Sequence, residues 1–264
     1  MIDTSLIIEH SDGLTTLTLN RPEKRNALNS ELLRKLLDAL QKINVSREVR
    51  AILLTGTGSG FCSGADLSDL EISNSRNQSL DLGLILEKLY NPIITEMRLS
   101  PKPIVCAVNG TAAGAGMSLA LGSDVILAGQ SASFVQAFSR LGLMPDMGGT
   151  WLLPRMIGTS RTMSMAMLAE SISAEQAKDW GLIYDVVEDE KLSMKAREVA
   201  LKLASGPTLA HGALKNAINR SARNSFIEQL QLEKNLQRQI GQTQDFSEGV
   251  SAFLSKRPPN FKGK

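Results

Sequence analysis

Apolar residues fall at helical spacing across residues 30–43. Leu32, Leu33, Leu36, Leu37 and Leu40 form one stripe, which predicts an amphipathic helix capped by Ser30. The residues before it read differently. Residues 4–9 and 13–19 predict two strands around a Ser-Asp-Gly turn. Residues 49–55, 103–109 and 124–128 are short apolar runs, the pattern of strands covered on both faces. The first run leads into a glycine-rich loop over 56–66, with Asp66 placed to cap a helix from Leu67. The second leads into Gly110 and a run of small residues. Residues 71–83 are polar and weakly patterned and predict a mobile segment, and 84–99 predict a helix. A Ser-x-Glu signal opens a helix over 173–180, and a strand follows at 183–187. From Leu192 onward the pattern is almost entirely helical, up to the basic tail FLSKRPPNFKGK.

Strands and helices therefore alternate as far as about residue 190, and helices follow. The fold class is α/β, with a core over 1–190 and a helical region over 191–264. No internal repeat or low-complexity segment stands out.

Composition narrows the function classes. The chain has 264 residues, 42% of them hydrophobic and 21% charged, as in ordinary water-soluble proteins. Its 29 basic and 27 acidic residues leave a formal charge of +2, too balanced to point to nucleic acid. Cys62 and Cys106 are far apart and the only histidines are His10 and His211, so no metal site is expected. Neither a secretory leader nor an apolar run long enough to span a membrane is visible, and a cytoplasmic protein is expected. GTGSGFCSG is neither a dinucleotide fingerprint nor a phosphate-binding loop.

One acid stands out. In RLGLMPDMGGTW, residues 140–151, Asp146 lies among apolar residues and glycines, with no Lys or Arg within five positions. A buried unpaired carboxylate is costly and tends to hold a proton. Two readings remain open from this stretch: a helix N-cap or a catalytic acid. Two further segments, 61–66 and 110–116, each follow an apolar strand and open a helix. Their free backbone N–H groups could bind a developing oxyanion if the loops met, and small residues could equally serve close packing.

Six motifs occur in order: NRPEKRNAL, GFCSGADL, KPIVCAVNGTAAGAGMSLALGSD, FSRLGLMPDMGGTWLLPR, ISAEQAKDWGL and EGVSAFLSKRPPNF. Together they resemble the enoyl-CoA hydratase/isomerase (crotonase) superfamily over residues 5–262. The resemblance implies a spiral of ββα units with a C-terminal helical region that builds homotrimers or dimers of trimers. It also implies an acyl-CoA thioester substrate, coenzyme A being part of the substrate and no further cofactor required. Neither a nucleic acid nor a membrane is expected as a partner. The backbone N–H groups of Ala65 and Ala115 would hold the thioester oxygen. Lys24, Arg25, Ser63, Asp66 and Lys256 would bind coenzyme A, Lys256 from a neighbouring subunit. Ser118, Phe138, Leu143 and Tyr90 would line the acyl pocket, with Leu89 and Trp151 as further walls.

The chain also departs from the family's hydratases. Their two water-handling glutamates are replaced by Ser118 and Phe138, neither of which can activate water by proton transfer. Asp146 stands where hydratases usually have glycine. The resemblance then implies a single-acid isomerase, similar to those acting on ring-1,2-epoxyphenylacetyl-CoA. A Δ3,Δ2-enoyl-CoA isomerase or a hydratase-like enzyme of fatty acid breakdown stays open. So do an enzyme using Asp146 as a nucleophile and a non-catalytic CoA- or RNA-binding relative.

Overall fold

The computed structural model describes residues 5–69 and 81–264. Six strands form the larger sheet in the order β1-β2-β3-β5-β7-β10. They are β1 (Leu6–Ser11), β2 (Leu14–Leu19), β3 (Ala51–Gly56), β5 (Ile104–Val108), β7 (Val125–Gly129) and β10 (Asp185–Val187). β1 and β2 pair antiparallel across the Asp12-Gly13 turn, and the other pairings are parallel. The apolar runs are continuous because both faces of the sheet are covered. Along β3, Ile52 and Leu54 point to the side packed by Leu32, Leu33 and Leu36 of the helix Ser30–Val45. Ala51 and Leu53 point to the opposite side, packed by Leu192, Ala196, Ala200 and Ala204 of the helix Asp189–Ala204. The boundary expected near residue 190 thus falls at a helix that covers the core sheet.

A second sheet has no counterpart in the sequence reading. Its strands are β4 (Gly60–Cys62), β6 (Thr111–Ala113), β8 (Ser133–Val135) and β9 (Ile172–Ser173), in that order. β4, β6 and β8 each follow a long parallel strand after a short turn, so the chain repeatedly steps from one sheet to the other. Close approach makes the step possible. A Cβ on Gly110 would lie 2.2 Å from the Ser59 carbonyl oxygen. These strands are two or three residues long, too short to show a period.

Two helix starts differ from expectation. The cap of Ser30–Val45 is Asn29, whose side chain accepts the Leu32 N–H at 2.9 Å. Ser30 instead donates its backbone and side chain to Asp69 Oδ2. The helix expected over 84–99 begins at Leu82, capped by Asp81. It passes through a π-helical turn at Leu86–Tyr90 before continuing as Asn91–Leu99. Most of the stretch expected to be mobile, residues 71–80, lies outside the described residues.

The C-terminal helices Thr208–Ser221, Phe226–Ile240 and Gln244–Leu254 leave large apolar side chains in the open. Phe226 is 74% exposed, Phe253 83% and Leu254 75%. No helix among the described residues is long and apolar enough to cross a membrane.

Candidate active site

Two loops at the carboxyl ends of the parallel strands meet at one cavity. The first leaves β4 at Cys62. Leu28 donates its N–H to Gly64 O at 2.8 Å and accepts from Asp66 N at 3.0 Å. Ala65, held between these bonds as a parallel bridge, turns its own N–H away from Leu28. The second loop leaves β6 at Ala113 and opens the helix Ala115–Leu121, whose first N–H has no partner within the helix. Gly114 adopts φ 51 and ψ −124, a conformation that only glycine takes readily. Gly64 has φ +95, and a Cβ on it would stand 2.9 Å from Ala113 O and 3.5 Å from Ala115 N. The absence of a side chain at Gly64 is what lets the two loops touch.

Asn26 anchors the first loop from behind. It is fully buried, and its Nδ2 donates to the carbonyls of Thr57, Gly60 and Phe61. The sequence reading assigned it no role, although it lies inside the NRPEKRNAL motif. Cys62 donates from Sγ to Asn26 O, and burial pushes its thiol up to about 12, so it is not a nucleophile near neutral pH.

The cavity has a volume of about 440 Å³. Ser63, Ala65, Tyr90, Ala115, Phe138, Leu143 and Asp146 all line it, which brings together most of the residues expected there. Leu67, Ile85 and Leu86 add apolar wall that the sequence did not single out. Among the described residues lining it, Asp146 is the only one with an acid or base that titrates near neutral pH. Tyr90 sits at the end of the π-helical turn, and its hydroxyl donates to Leu28 O at 3.4 Å. Burial, then the nearby Asp146 carboxylate, pushes its phenol upward, so it stays protonated at neutral pH.

Asp146 does not cap the helix that follows it. The cap of Gly149–Leu168 is Gly148, with no side-chain cap bond, and Gly149 N donates to the backbone oxygen of Asp146 at 2.8 Å. The Asp146 Oδ1 is sealed from solvent and has no hydrogen-bond partner among the described residues. Burial raises this carboxyl from 3.8 to about 6, and the residue's own backbone amide opposes the rise only in part. A carboxyl titrating near 6 can both take and return a proton at neutral pH.

Other expected site residues lie elsewhere. Ser118 is fully buried one turn beyond Ala115 and does not line the cavity. Helical geometry carries it behind the wall, where its Oγ faces Gly149. Leu89 and Trp151 pack against the core instead, with Arg155 stacked 4.0 Å over the Trp151 ring. Asp66 pairs with Arg21 Nη2 at 2.8 Å and accepts from Ser68, so its carboxylate braces the loop rather than facing a ligand. Lys24 and Arg25 meet the first loop through their carbonyls, which accept from Ser63 Oγ and Ser63 N; their side chains do not line the cavity. Lys256 lies beyond the last helix, also off the cavity of its own chain.

Two N–H groups and one buried acid in an apolar pocket can hold an oxyanion and move a proton. Comparison with known proteins gives the chain a family. The enoyl-CoA hydratase/isomerase family matches residues 9–264. The 1,2-epoxyphenylacetyl-CoA isomerase of Escherichia coli K12 is 49% identical over 259 residues, covering 98% of both chains. A Rhodobacter capsulatus protein, provisionally named an enoyl-CoA hydratase, is 48% identical over 256 residues and 97% of both chains. The crystal structure of enoyl-CoA hydratase from Bacillus anthracis superposes with a TM-score of 0.91 at 32% identity, covering 99% of this chain and all of the other. With its β-strand steps, its two facing loops and this degree of likeness, the chain belongs to the enoyl-CoA hydratase/isomerase family of enzymes.

Proposed function

We propose that the chain is an acyl-CoA isomerase in which Asp146 is the sole acid and base. The observation that carries this reading is the position of that carboxyl, raised to about 6 in the same cavity as the amides of Ala65 and Ala115. The ionised carboxylate takes a proton from a carbon next to, or conjugated with, the thioester carbonyl. The electron pair moves onto the thioester oxygen, where the N–H groups of Ala65 and Ala115 stabilise the enolate. The protonated Asp146 then returns the proton to a different carbon, and the product is an isomer with no change in composition. Removing one such N–H donor typically costs about 10²–10³ in rate.

The substrate proposed is a ring-1,2-epoxyphenylacetyl-CoA. The E. coli relative is named for that compound, and the apolar walls contributed by Phe138, Leu143, Leu86 and Ile85 suit a hydrocarbon ring. Hydration fits less well, because the family's two glutamate positions hold Ser118 and Phe138, and one of these is buried behind the wall. Ser63, Lys24, Arg25 and, from a neighbouring copy, Lys256 are proposed to hold coenzyme A. The exposed Phe226, Phe253 and Leu254 support assembly as a homotrimer or a dimer of trimers. A cytoplasmic setting suits two buried free thiols.

The test is turnover of the purified protein and of Asp146→Asn on 1,2-epoxyphenylacetyl-CoA, 3-hexenoyl-CoA and crotonyl-CoA. The wild type should isomerise the first, leave crotonyl-CoA almost unhydrated, and lose its activity in the variant. Turnover of 3-hexenoyl-CoA alone would shift the substrate to straight-chain enoyl-CoA. Fast hydration of crotonyl-CoA or a fully active variant would overturn the single-acid reading.

A further inference from the structure

Three side chains near the start of the helix Gly149–Leu168 have buried polar atoms without a hydrogen-bond partner among the described residues. They are Ser118 at Oγ, Gln136 at both Oε1 and Nε2, and Asp146 at Oδ1. Ser118 and Gln136 are completely inaccessible to solvent. Buried polar atoms are rarely left unpaired, and three such side chains in one place call for a common partner.

Ser118 and Gln136 meet at Gly149, three residues after Asp146. A Cβ on Gly149 would lie 3.0 Å from Ser118 Oγ, 3.2 Å from Pro145 Cβ and 3.8 Å from Gln136 Nε2, so the two polar groups flank the same glycine beside Pro145. Gly149 N is itself bonded to the Asp146 carbonyl. Ser118 is tied by its N–H to Gly114 O, and Gly114 N donates to Val135 O, one residue before Gln136. The loop carrying Ala115, the strand preceding Gln136 and the turn carrying Asp146 therefore converge on this spot. Neither Ser118 nor Gln136 lines the substrate cavity.

We propose that Ser118 and Gln136 together hold one buried water molecule beneath Gly149, and that this water donates a hydrogen bond to Asp146 Oδ1. Ser118 and Gln136 are then positioning residues for the acid. A water needs two to four polar partners to stay in a protein interior, and these three side chains supply them. The water fixes the rotamer of the carboxyl and leaves its other oxygen to the substrate. It also favours the ionised form that begins the reaction. The inference rests on the reading of Asp146 as the catalytic acid for its functional meaning, but not for its geometry.

The charged and titratable surroundings of Asp146 are simple. Tyr90 faces it from the π-helical turn. Arg140, on the preceding turn, is held by Ala169 O, and Arg155, on the following helix, lies over Trp151. No Lys, Arg, His or Glu among the described residues lines the cavity.

The experiment is direct titration of Asp146 in substrate-free protein, by NMR of carbon-13-labelled aspartate carboxyls. The Asp146 resonance is assigned by its loss in Asp146→Asn. Wild type, Ser118→Ala, Gln136→Leu and the double variant are compared. Each single variant should raise the Asp146 midpoint by about 0.7 pH unit, the worth of one hydrogen bond of about 1 kcal/mol. The double variant should shift it no further, because both side chains hold the same water. In turnover, kcat should fall about three-fold or more in each with little change in KM. An unmoved midpoint in a folded Ser118→Ala, which removes a single oxygen and is the variant least prone to unfold, would overturn the proposal. So would additive shifts, or a crystal structure showing Ser118 bonded directly to Gln136 with no water between. Because the titration needs no substrate, these results are distinct from the turnover of Asp146→Asn, which tests the proposed reaction alone.

Discussion

The backbone nitrogen of Ala115 stands 3.5 Å from the place a Cβ on Gly64 would occupy, and Ala113 O stands 2.9 Å from it. The contact joins loops that are 50 residues apart in the chain, and no side chain fits within it. Gly64→Ala therefore meets two penalties, a backbone at φ +95 and a clash with fixed carbonyl oxygen. The loops must part, which separates the amides of Ala65 and Ala115. The expected result is a loss of about 10²-fold or more in kcat for any thioester substrate, in a protein that still folds. Steady-state kinetics with circular dichroism as the folding control checks it. Unchanged kcat would mean that the two amides do not act together.

Activity should follow the ionisation of Asp146. The acid raised to about 6 by burial must be deprotonated to begin the reaction. The kcat/KM should rise with pH through about 6 and level off above it, since kcat/KM reports the free enzyme. A profile flat from pH 5 to 8 would place the proton transfer on another group.

Much of this site was legible in the residue string, and what escaped it did so for definite reasons. Asp146 announced itself by its lack of charged neighbours, a purely local property that the fold preserves. The two loops were legible from strand-glycine-helix order. Their meeting was not, because it depends on β4 and β6, strands of three residues that form only by pairing within the second sheet, β6 lying between β4 and β8. Asp66 caps the helix from Leu67 as its local sequence predicts, accepting Ser68 N at 3.2 Å; only its assignment to coenzyme A differs, because its partner Arg21 lies 45 positions upstream, beyond the reach of any local pattern. Ser118 was misplaced because motif position carries no information about depth: the helix that shows Ala115 to the cavity turns Ser118 toward Gly149. Asn26 and Gln136, ordinary polar residues in sequence, acquire their importance only from complete burial.

Burial of Asp146 should also show in stability. A carboxyl raised from 3.8 to about 6 binds its proton more tightly in the folded chain than in the unfolded one. The folded state is thus favoured at low pH, and that advantage is lost as pH rises from about 4 to about 6. At pH 7 the ionised group costs on the order of 2–3 kcal/mol. Asp146→Asn, nearly the same shape and never charged, should raise Tm at pH 7 and give a smaller gain at pH 4.5. Calorimetry at the two pH values checks this. An equal Tm difference at both would show that the carboxyl is not destabilised by its surroundings.

The last prediction concerns the helical region and its hold on the core. Lys215, on the helix Thr208–Ser221, places its ammonium 2.8 Å from Asp124 Oδ2. Both belong to the frame rather than the cavity. The same oxygen accepts the N–H of Ile104, the first residue of β5, at 2.8 Å, so one carboxylate links the helical region to the sheet. Burial pulls the Lys215 ammonium below its ordinary range although Asp124 opposes this. Breaking a buried pair by removing one partner typically costs about 3–5 kcal/mol, because the other charge is stranded. Asp124 keeps the Ile104 bond and some exposure, so Lys215→Met should fall at the lower end of that range. Asp124→Asn/Lys215→Met removes both charges and should recover part of the loss, giving a double-mutant coupling of the size of a contacting pair, about 0.5–3 kcal/mol. Urea unfolding of the three variants measures it. Strictly additive losses would show that the pair is a neighbourly contact and that the helical region is held to the sheet by its other links, such as the Arg50 bonds to Gly206 O and Phe261 O, and by apolar packing.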